Sequence, residues 1–181
     1  MAGKYKGRKC SFPNIDTLRP TPGKVRETLF NWIAFECLNK NYLDLFAGSG
    51  SLSLEALSRG ANKVISIEKN YDAFKSLQKN IKLFESNNIE MINEDALNFL
   101  SSKSDTCFDF VFLDPPFHHN IIPKALKLLS DGRYIDSGSK IYIESEYKML
   151  ADEISHTFSK EISIIKQKKS GQVNYCLIEL L

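Results

Sequence analysis

The chain has 181 residues, a formal net charge of +2, and 43% hydrophobic and 25% charged residues. This is one domain's worth of ordinary globular composition. No apolar run approaches the ~20 residues of a membrane span, and Met1-Ala2-Gly3-Lys4-Tyr5-Lys6 opens no apolar stretch of the secretory kind. The expectation is therefore a cytoplasmic protein without a membrane partner. With 9 glycines, 6 prolines and no sustained heptad, collagen-like, coiled-coil and disordered readings also fail.

Charge is distributed unevenly. Residues 1–30 hold Lys4, Lys6, Arg8, Lys9, Arg19, Lys24 and Arg26 against Asp16 and Glu27. The remainder is mildly acidic, so a basic arm suited to phosphates precedes the body. A second basic cluster, Lys166-Gln167-Lys168-Lys169-Ser170-Gly171, matters if the fold sets it near a site. Cys10, Cys37, Cys107 and Cys176 are far apart, and His118, His119 and His156 do not complete a ligand spacing. Reduced cysteines and no metal are expected.

In chain order, residues 4–10 alternate loosely and read as an edge hairpin strand or an arm. Pro13, Pro20 and Pro22 punctuate a loop. A helix follows, with Thr21 as N-cap, Pro22 at its first position, and Val25, Leu29, Trp32, Ile33 and Cys37 at helical spacing. Strands are predicted at 41–46, 63–68, 89–92, 108–113 and 140–144. Helices are predicted at 51–59, 71–85, 96–100 and 121–129. Residues 161–165 and 173–180 read as two final strands joined at Ser170-Gly171. This alternation predicts an α/β fold with a mostly parallel seven-stranded sheet, one antiparallel strand and helices on both faces. Residues 1–20 are expected to form the basic arm or hairpin, and 21–181 a single domain.

Three motifs fall where strands end, the place where ligands of such sheets bind. Asp44-Leu45-Phe46-Ala47-Gly48-Ser49-Gly50 closes the first strand and opens a helix. Its glycines permit a tight turn and close approach of a ligand. It is not the dinucleotide fingerprint, because Ser53 stands at the third glycine, and no Gly-Lys-Ser/Thr makes it a P-loop. Asp44, buried before the turn, needs a cation or donors, and a ligand ammonium would serve. Glu68 follows Gly50 by 18 residues, near the ~20 at which an acid holds ribose hydroxyls. Asp95-Ala96 stands at the same level after the third strand, suited to an adenine amino group, a helix N-cap, or both. Asp114-Pro115-Pro116-Phe117 is the sharpest motif. Two prolines fix the turn. The Asp114 carboxylate and the Pro115 carbonyl then offer two acceptors to a planar amino group, and Phe117 offers a ring for a base.

These motifs resemble the S-adenosylmethionine-dependent methyltransferases that act on exocyclic amino groups. More narrowly, Leu18-Arg19-Pro20-Thr21-Pro22 with Val25-Arg26-Glu27-Thr28-Leu29-Phe30-Asn31-Trp32 is similar to the RsmD family. So are Leu54-Glu55-Ala56-Leu57-Ser58-Arg59-Gly60 and Ser170-Gly171-Gln172-Val173. The resemblance runs from Gly3 to Leu180. It implies a Rossmann-like class I methyltransferase fold with a short basic N-terminal extension. It also implies methylation of guanine N2 in small-subunit (16S) ribosomal RNA. The cofactor is then S-adenosylmethionine, which leaves as S-adenosylhomocysteine, with no metal, and the partner is the RNA in an assembled or assembling subunit, met by a monomer.

Carried over by position, Asp44, Phe46, Gly48, Gly50, Glu68, Lys69, Asp95 and Ala96 would line the cofactor, covered by the segment that includes Thr21 and Asn31. Asp114, Pro115, Pro116 and Phe117 would form the catalytic turn. Lys4, Lys6, Arg8, Lys9, Arg19, Lys24, Arg26, Lys168 and Lys169 would meet RNA. Two rivals stay open. One is a DNA adenine or cytosine amino-methyltransferase, which would need an insert for target recognition; the other is a non-catalytic cofactor- or RNA-binding assembly factor.

Overall fold

A computed structural model describes residues 1–8, 23–117, 120–158 and 161–181. Its strands are β1 (Asn41–Asp44), β2 (Lys63–Ile67), β3 (Ile89–Ile92), β4 (Phe110–Leu113), β5 (Lys140–Ser145), β6 (Ile162–Ser170) and β7 (Val173–Leu180). Its helices are α1 (Gly23–Trp32), α2 (Ser51–Ser58), α3 (Tyr71–Lys82), α4 (Ala96–Leu100), α5 (Ile121–Asp131) and α6 (Ala151–Phe158). The strands form one sheet in the order β3-β2-β1-β4-β5-β7-β6. β7 runs antiparallel to both neighbours, and the remaining pairings are parallel. The sheet is that predicted. Strand order reverses between β1 and β4, so their carboxyl ends open the crevice where ligands of doubly wound sheets bind.

The central strands are short and apolar because helices cover both of their faces. On one face Tyr42, Val64, Phe110, Phe112, Tyr142 and Tyr175 pack with Leu29 and Phe30 of α1, Leu54 of α2 and Leu77 of α3. On the other, Leu43, Ile65, Val111, Ile141 and Cys176 pack with Leu100 of α4, Leu126 of α5 and Ile154 of α6. The first face is unusually aromatic. Tyr42 stacks on Phe110 at 5.0 Å, Phe30 meets Phe112 edge-on at 5.9 Å, and Trp32 stacks on Tyr175 at 5.5 Å. These rings fix α1 over β4, β5 and β7.

Several local expectations change. Among the described residues of the N-terminal segment there is a single 3-10 turn, Gly3–Tyr5, and no strand. Its docking explains the difference. Gly3 has φ +74, and a Cβ there would lie 2.0 Å from the Ser58 carbonyl oxygen. The Tyr5 amide donates to Ser58 Oγ at 3.0 Å, and the Tyr5 ring meets Phe84 edge-on at 4.8 Å. The segment is tied to the end of α2 and cannot pair with a strand. Helix α1 stops at Trp32, and turns carry the chain on to Cys37. β6 continues through its lysines to Ser170. Helix α6 has no counterpart in the sequence reading. The segment holding Cys10, Thr21 and the three loop prolines lies outside the described residues, as do His118 and His119.

Candidate active site

The glycine turn after β1 is held from three sides. Gly50 donates to the Ala47 carbonyl at 2.7 Å, and Ala47 donates to the Ile67 carbonyl at 2.9 Å. Buried Asn80 of α3 reaches across and donates from Nδ2 to the Ser49 carbonyl at 2.9 Å. Gly48 and Gly50 take φ of 55° and 90°, the left-handed region open to glycine. A Cβ on Gly50 would sit 2.4 Å from Leu77 Cδ1. Gly50→Ala is therefore expected to cost about 2 kcal/mol of stability from backbone strain and crowding together. Urea unfolding would measure this.

Asp44 ends β1 at 2% exposure. Ser53 Oγ donates to its Oδ2 at 2.6 Å, and Ser66 Oγ lies 2.8 Å from Ser53 Oγ. A hydroxyl has one proton to give, so with Ser53 committed to Asp44, Ser66 donates to Ser53. Burial pushes the Asp44 carboxyl up to about 7, against the Ser53 hydrogen bond and with the charges of Asp114 and Glu68 adding to the rise. Asp44, Asp114 and Glu68 thus share one electrostatic neighbourhood at the crevice.

Glu68 accepts from the Gly48 amide at 2.8 Å and from the Asn70 amide at 2.6 Å. It braces the glycine turn, yet each carboxylate oxygen keeps a lone pair for a further donor. Burial raises its carboxyl above the ordinary value, opposed by these amides. Asn93 donates to the Glu68 carbonyl at 2.7 Å and so fastens the loops after β2 and β3 together. Asp95 caps α4 by accepting from Leu97 and Asn98, and Lys69 Nζ lies 3.0 Å from its Oδ2. The Lys69 hydrogen bond is the main cause that draws the Asp95 carboxyl down. Ala96 is buried behind this cap, and half-buried Phe46 packs against the same core.

Asp114-Pro115-Pro116-Phe117 leaves β4 at the same crevice. Asp114 and Phe117 are half-buried, Pro115 is buried and Pro116 exposed. Register sets a further acid beside this turn. Phe112 pairs with Tyr142, so Asp114 comes level with Glu144 of β5 on the aromatic face. Glu144 is 3% exposed and accepts from the Tyr142 hydroxyl at 2.8 Å. Asp44 also pairs with Phe112 across the switch point. Adjacent strand ends therefore carry Asp44, Asp114 and Glu144 on one face.

The basic residues divide into separate places. Lys4, Lys6 and Arg8 are exposed at the amino edge of the sheet, beyond the far end of α2. That helix alone separates them from the glycine turn by about 12 Å. Arg8 lies over the Tyr5 and Phe84 rings at 5.1 and 5.7 Å, and Lys4 over Tyr5 at 5.3 Å. Arg26 turns inward, 3.8 Å from Glu55, which also pairs with Arg59 at 2.9 Å. Lys24 and Asn31 are exposed on α1. Lys168 and Lys169 lie on β6 beside the carboxyl edge, Lys168 opposite Tyr175 and Tyr175 opposite Glu144. Lys9, Arg19 and Thr21 fall outside the described residues. Among the described residues no group of three or more His, Cys, Asp or Glu could hold a metal ion, and no helix is long and apolar enough to cross a membrane.

A family model described as conserved hypothetical protein 95 matches residues 1–179. The chain belongs to the RsmD family. Ribosomal RNA small subunit methyltransferase D of Buchnera aphidicola (subsp. Acyrthosiphon pisum) is 39% identical over 175 residues, 96% of this chain and 88% of that protein. The Escherichia coli K12 protein of the same name is 37% identical over 179 residues, 99% and 88% of the two chains. The solved structure of yhhF from Escherichia coli superposes with a TM-score of 0.85 at 35% identity, covering 99% of this chain and 95% of that one. The fold is that of class I methyltransferases.

Within this RsmD-family site, sequence reasoning passed over Ser53, Ser66, Asn80 and Glu144. Asn80 carried a signal, because a polar residue on the apolar stripe of Leu77, Ile81 and Phe84 calls for a partner. Glu144 ends its predicted strand as Glu68 ends its own, but no glycine or proline turn follows to mark it as one marks Asp44.

Proposed function

We propose that this chain transfers a methyl group from S-adenosylmethionine to the exocyclic N2 of a guanine in small-subunit (16S) ribosomal RNA. It would act as a cytoplasmic monomer on an assembled or assembling subunit. The observation that carries this reading is the Asp114-Pro115-Pro116-Phe117 turn at the switch point, facing Asp44 and the glycine turn. The names of the relatives, ribosomal RNA small subunit methyltransferase D, supply the substrate class.

The donor set suits the cofactor. Its ammonium and sulfonium are cationic, and the crevice gathers the carboxyls of Asp44, Glu68 and Asp114, of which Asp44 is raised by burial and by its acidic neighbours. Bound S-adenosylmethionine would supply an electrophilic methyl group. Asp44 and the turn at Gly48 and Gly50 would hold its methionine end, Glu68 its ribose hydroxyls, and Asp95, steadied by Lys69, its adenine.

Guanine N2 is a weak nucleophile because its lone pair is delocalised into the ring, so alignment dominates. The Asp114 carboxylate and the Pro115 carbonyl accept the two N2 hydrogens, aim the lone pair and stabilise positive charge as it develops. Phe117 stacks on a base withdrawn from its neighbours. No strong base is needed before transfer, because the methylated nitrogen is acidic. Asp114 or water takes the proton afterwards.

Labelled S-adenosylmethionine, small subunits from cells lacking this activity, and nucleoside analysis of the digested RNA test the proposal. N2-methylguanosine at one site is expected. Label on adenine or cytosine would overturn the substrate, and no label despite cofactor binding would favour the assembly-factor reading. Binding is also expected to weaken steeply with salt. Lys168→Ala and Lys169→Ala should each reduce the slope of log K against log salt by about 0.7–0.9 for every phosphate no longer neutralised, measured by filter binding.

A further inference from the structure

The loop after β5, residues 146–150, has an unusual construction. Its backbone carbonyls are claimed from behind. Asn174 Nδ2 donates to the Glu146 carbonyl at 3.2 Å, Gln167 Nε2 donates to the Met149 carbonyl at 2.9 Å, and Ser145 Oγ donates to the Tyr147 carbonyl. Asn174 and Gln167 belong to the β6–β7 hairpin, so that hairpin fixes the loop to the sheet. Met149 is the anchor that packs into the core. The other side chains face solvent, with Tyr147 44% exposed and Lys148 exposed beside it.

The position of this rigid loop matters more than its exposure. Leu113 pairs with Ile143, so residues just past Ser145 border the Asp114-Pro115-Pro116-Phe117 turn. Lys169 pairs with Asn174, which pairs with Ser145, so exposed Lys169 stands level with the start of the loop on the sheet face from which Gln167 and Asn174 hold it. An exposed ring on a fixed backbone, with Lys148 beside it, Lys169 at the adjoining strand end and the transfer turn next to it, combines a stacking platform with an electrostatic funnel. The acids Glu146 and Glu153 lie near the Tyr147 phenol, so this point suits an uncharged base face, and phosphates fall to the lysines around it.

Resting on the proposed RNA methyl transfer, we infer that Tyr147 is a specificity residue: its ring stacks on an unpaired nucleotide next to the target guanine, while Lys148 and Lys169 carry the adjoining phosphates. The RNA then enters over the β6–β7 hairpin side of the crevice.

Tyr147→Ala and Tyr147→Phe separate ring from hydroxyl. Direct binding of small-subunit RNA, KM for the subunit and affinity for S-adenosylmethionine should be measured on each. Tyr147→Ala is expected to weaken RNA binding and raise KM at least about fivefold, the lower end of base–aromatic stacking. Its cofactor affinity should be unchanged, which also certifies its fold. Tyr147→Phe should behave as the wild type. Unchanged RNA binding in Tyr147→Ala overturns the inference, as does an equal loss in Tyr147→Phe. Wild-type protein that binds RNA without methylating it would sink the proposed activity alone, because the binding comparison still decides the role of Tyr147. Failure of the wild type to bind RNA would sink both.

Discussion

Asp114→Asn is expected to lower kcat by about 10²–10³-fold, the scale on which loss of one preorganised polar contact to a transition state is felt. Affinity for S-adenosylmethionine should change little. Asparagine nearly preserves shape, but its amide can present hydrogens to the substrate amino group and carries no charge against the cation that develops there. The Pro115 carbonyl remains and alone cannot orient both hydrogens. Single-turnover methylation of subunits gives the rate, and calorimetry gives the cofactor affinity. Equal losses in both would move Asp114 from the substrate to the cofactor. A side effect supports the geometry: removing the Asp114 charge takes away one cause of the raised Asp44 carboxyl, so Asp44 should ionise at lower pH in this variant.

The second large effect concerns Asp44 itself, where stability and binding should move in opposite directions. Its folded-state pKa, about 7, lies above the ordinary 3.8. Between these values the folded chain keeps a proton that the unfolded chain has released. Stability therefore falls as pH rises from 3.8 to about 7, and the full cost stands above that. The shift corresponds to roughly 4 kcal/mol at pH 8. Asn at this position still accepts from Ser53 but carries no buried charge. Asp44→Asn should therefore melt several degrees higher at pH 8, at ~2–4 °C per kcal/mol recovered. A cationic ligand has the opposite preference and draws the proton off. Wild-type affinity for S-adenosylmethionine should rise with pH toward 7 and then level, whereas the variant should bind weakly with no such rise. Calorimetry from pH 5.5 to 8.5 and thermal melts check both halves. A variant that binds as well as the wild type would remove Asp44 from the cofactor site.

Much of this was legible before any coordinates, for physical reasons. β1, β2 and β4 are buried on both faces and so read as short apolar runs. Gly48, Gly50 and the two prolines each mark a backbone that few residues can follow. The losses have causes too. α6 buries only Ile154 and Phe158, too few to impose a period. β6 is an edge strand whose lysines face water, so its hydrophobic signal ends before its hydrogen bonds do. The 3-10 turn at Gly3–Tyr5 depends on a carbonyl of α2 that no local pattern reveals. Glu144 and Tyr147 gain meaning only from register, which brings β5 beside β4 on one side and beside the hairpin on the other.

The position of β7 has a consequence for how the chain is made. β6 precedes β7 in sequence but lies outside it in the sheet. As the polypeptide emerges from the ribosome, β6 has no neighbour to join, and β5 keeps a bare edge until β7 follows. The loop that carries Tyr147 takes its Asn174 bond from β7 and its Gln167 bond from β6, which β7 alone joins to the sheet. The substrate-facing side of the crevice is thus among the last parts to take shape. A nascent chain with its glycine turn already built would still lack the surface proposed to engage RNA, and it would expose an open sheet edge, prone to aggregation, in the interval.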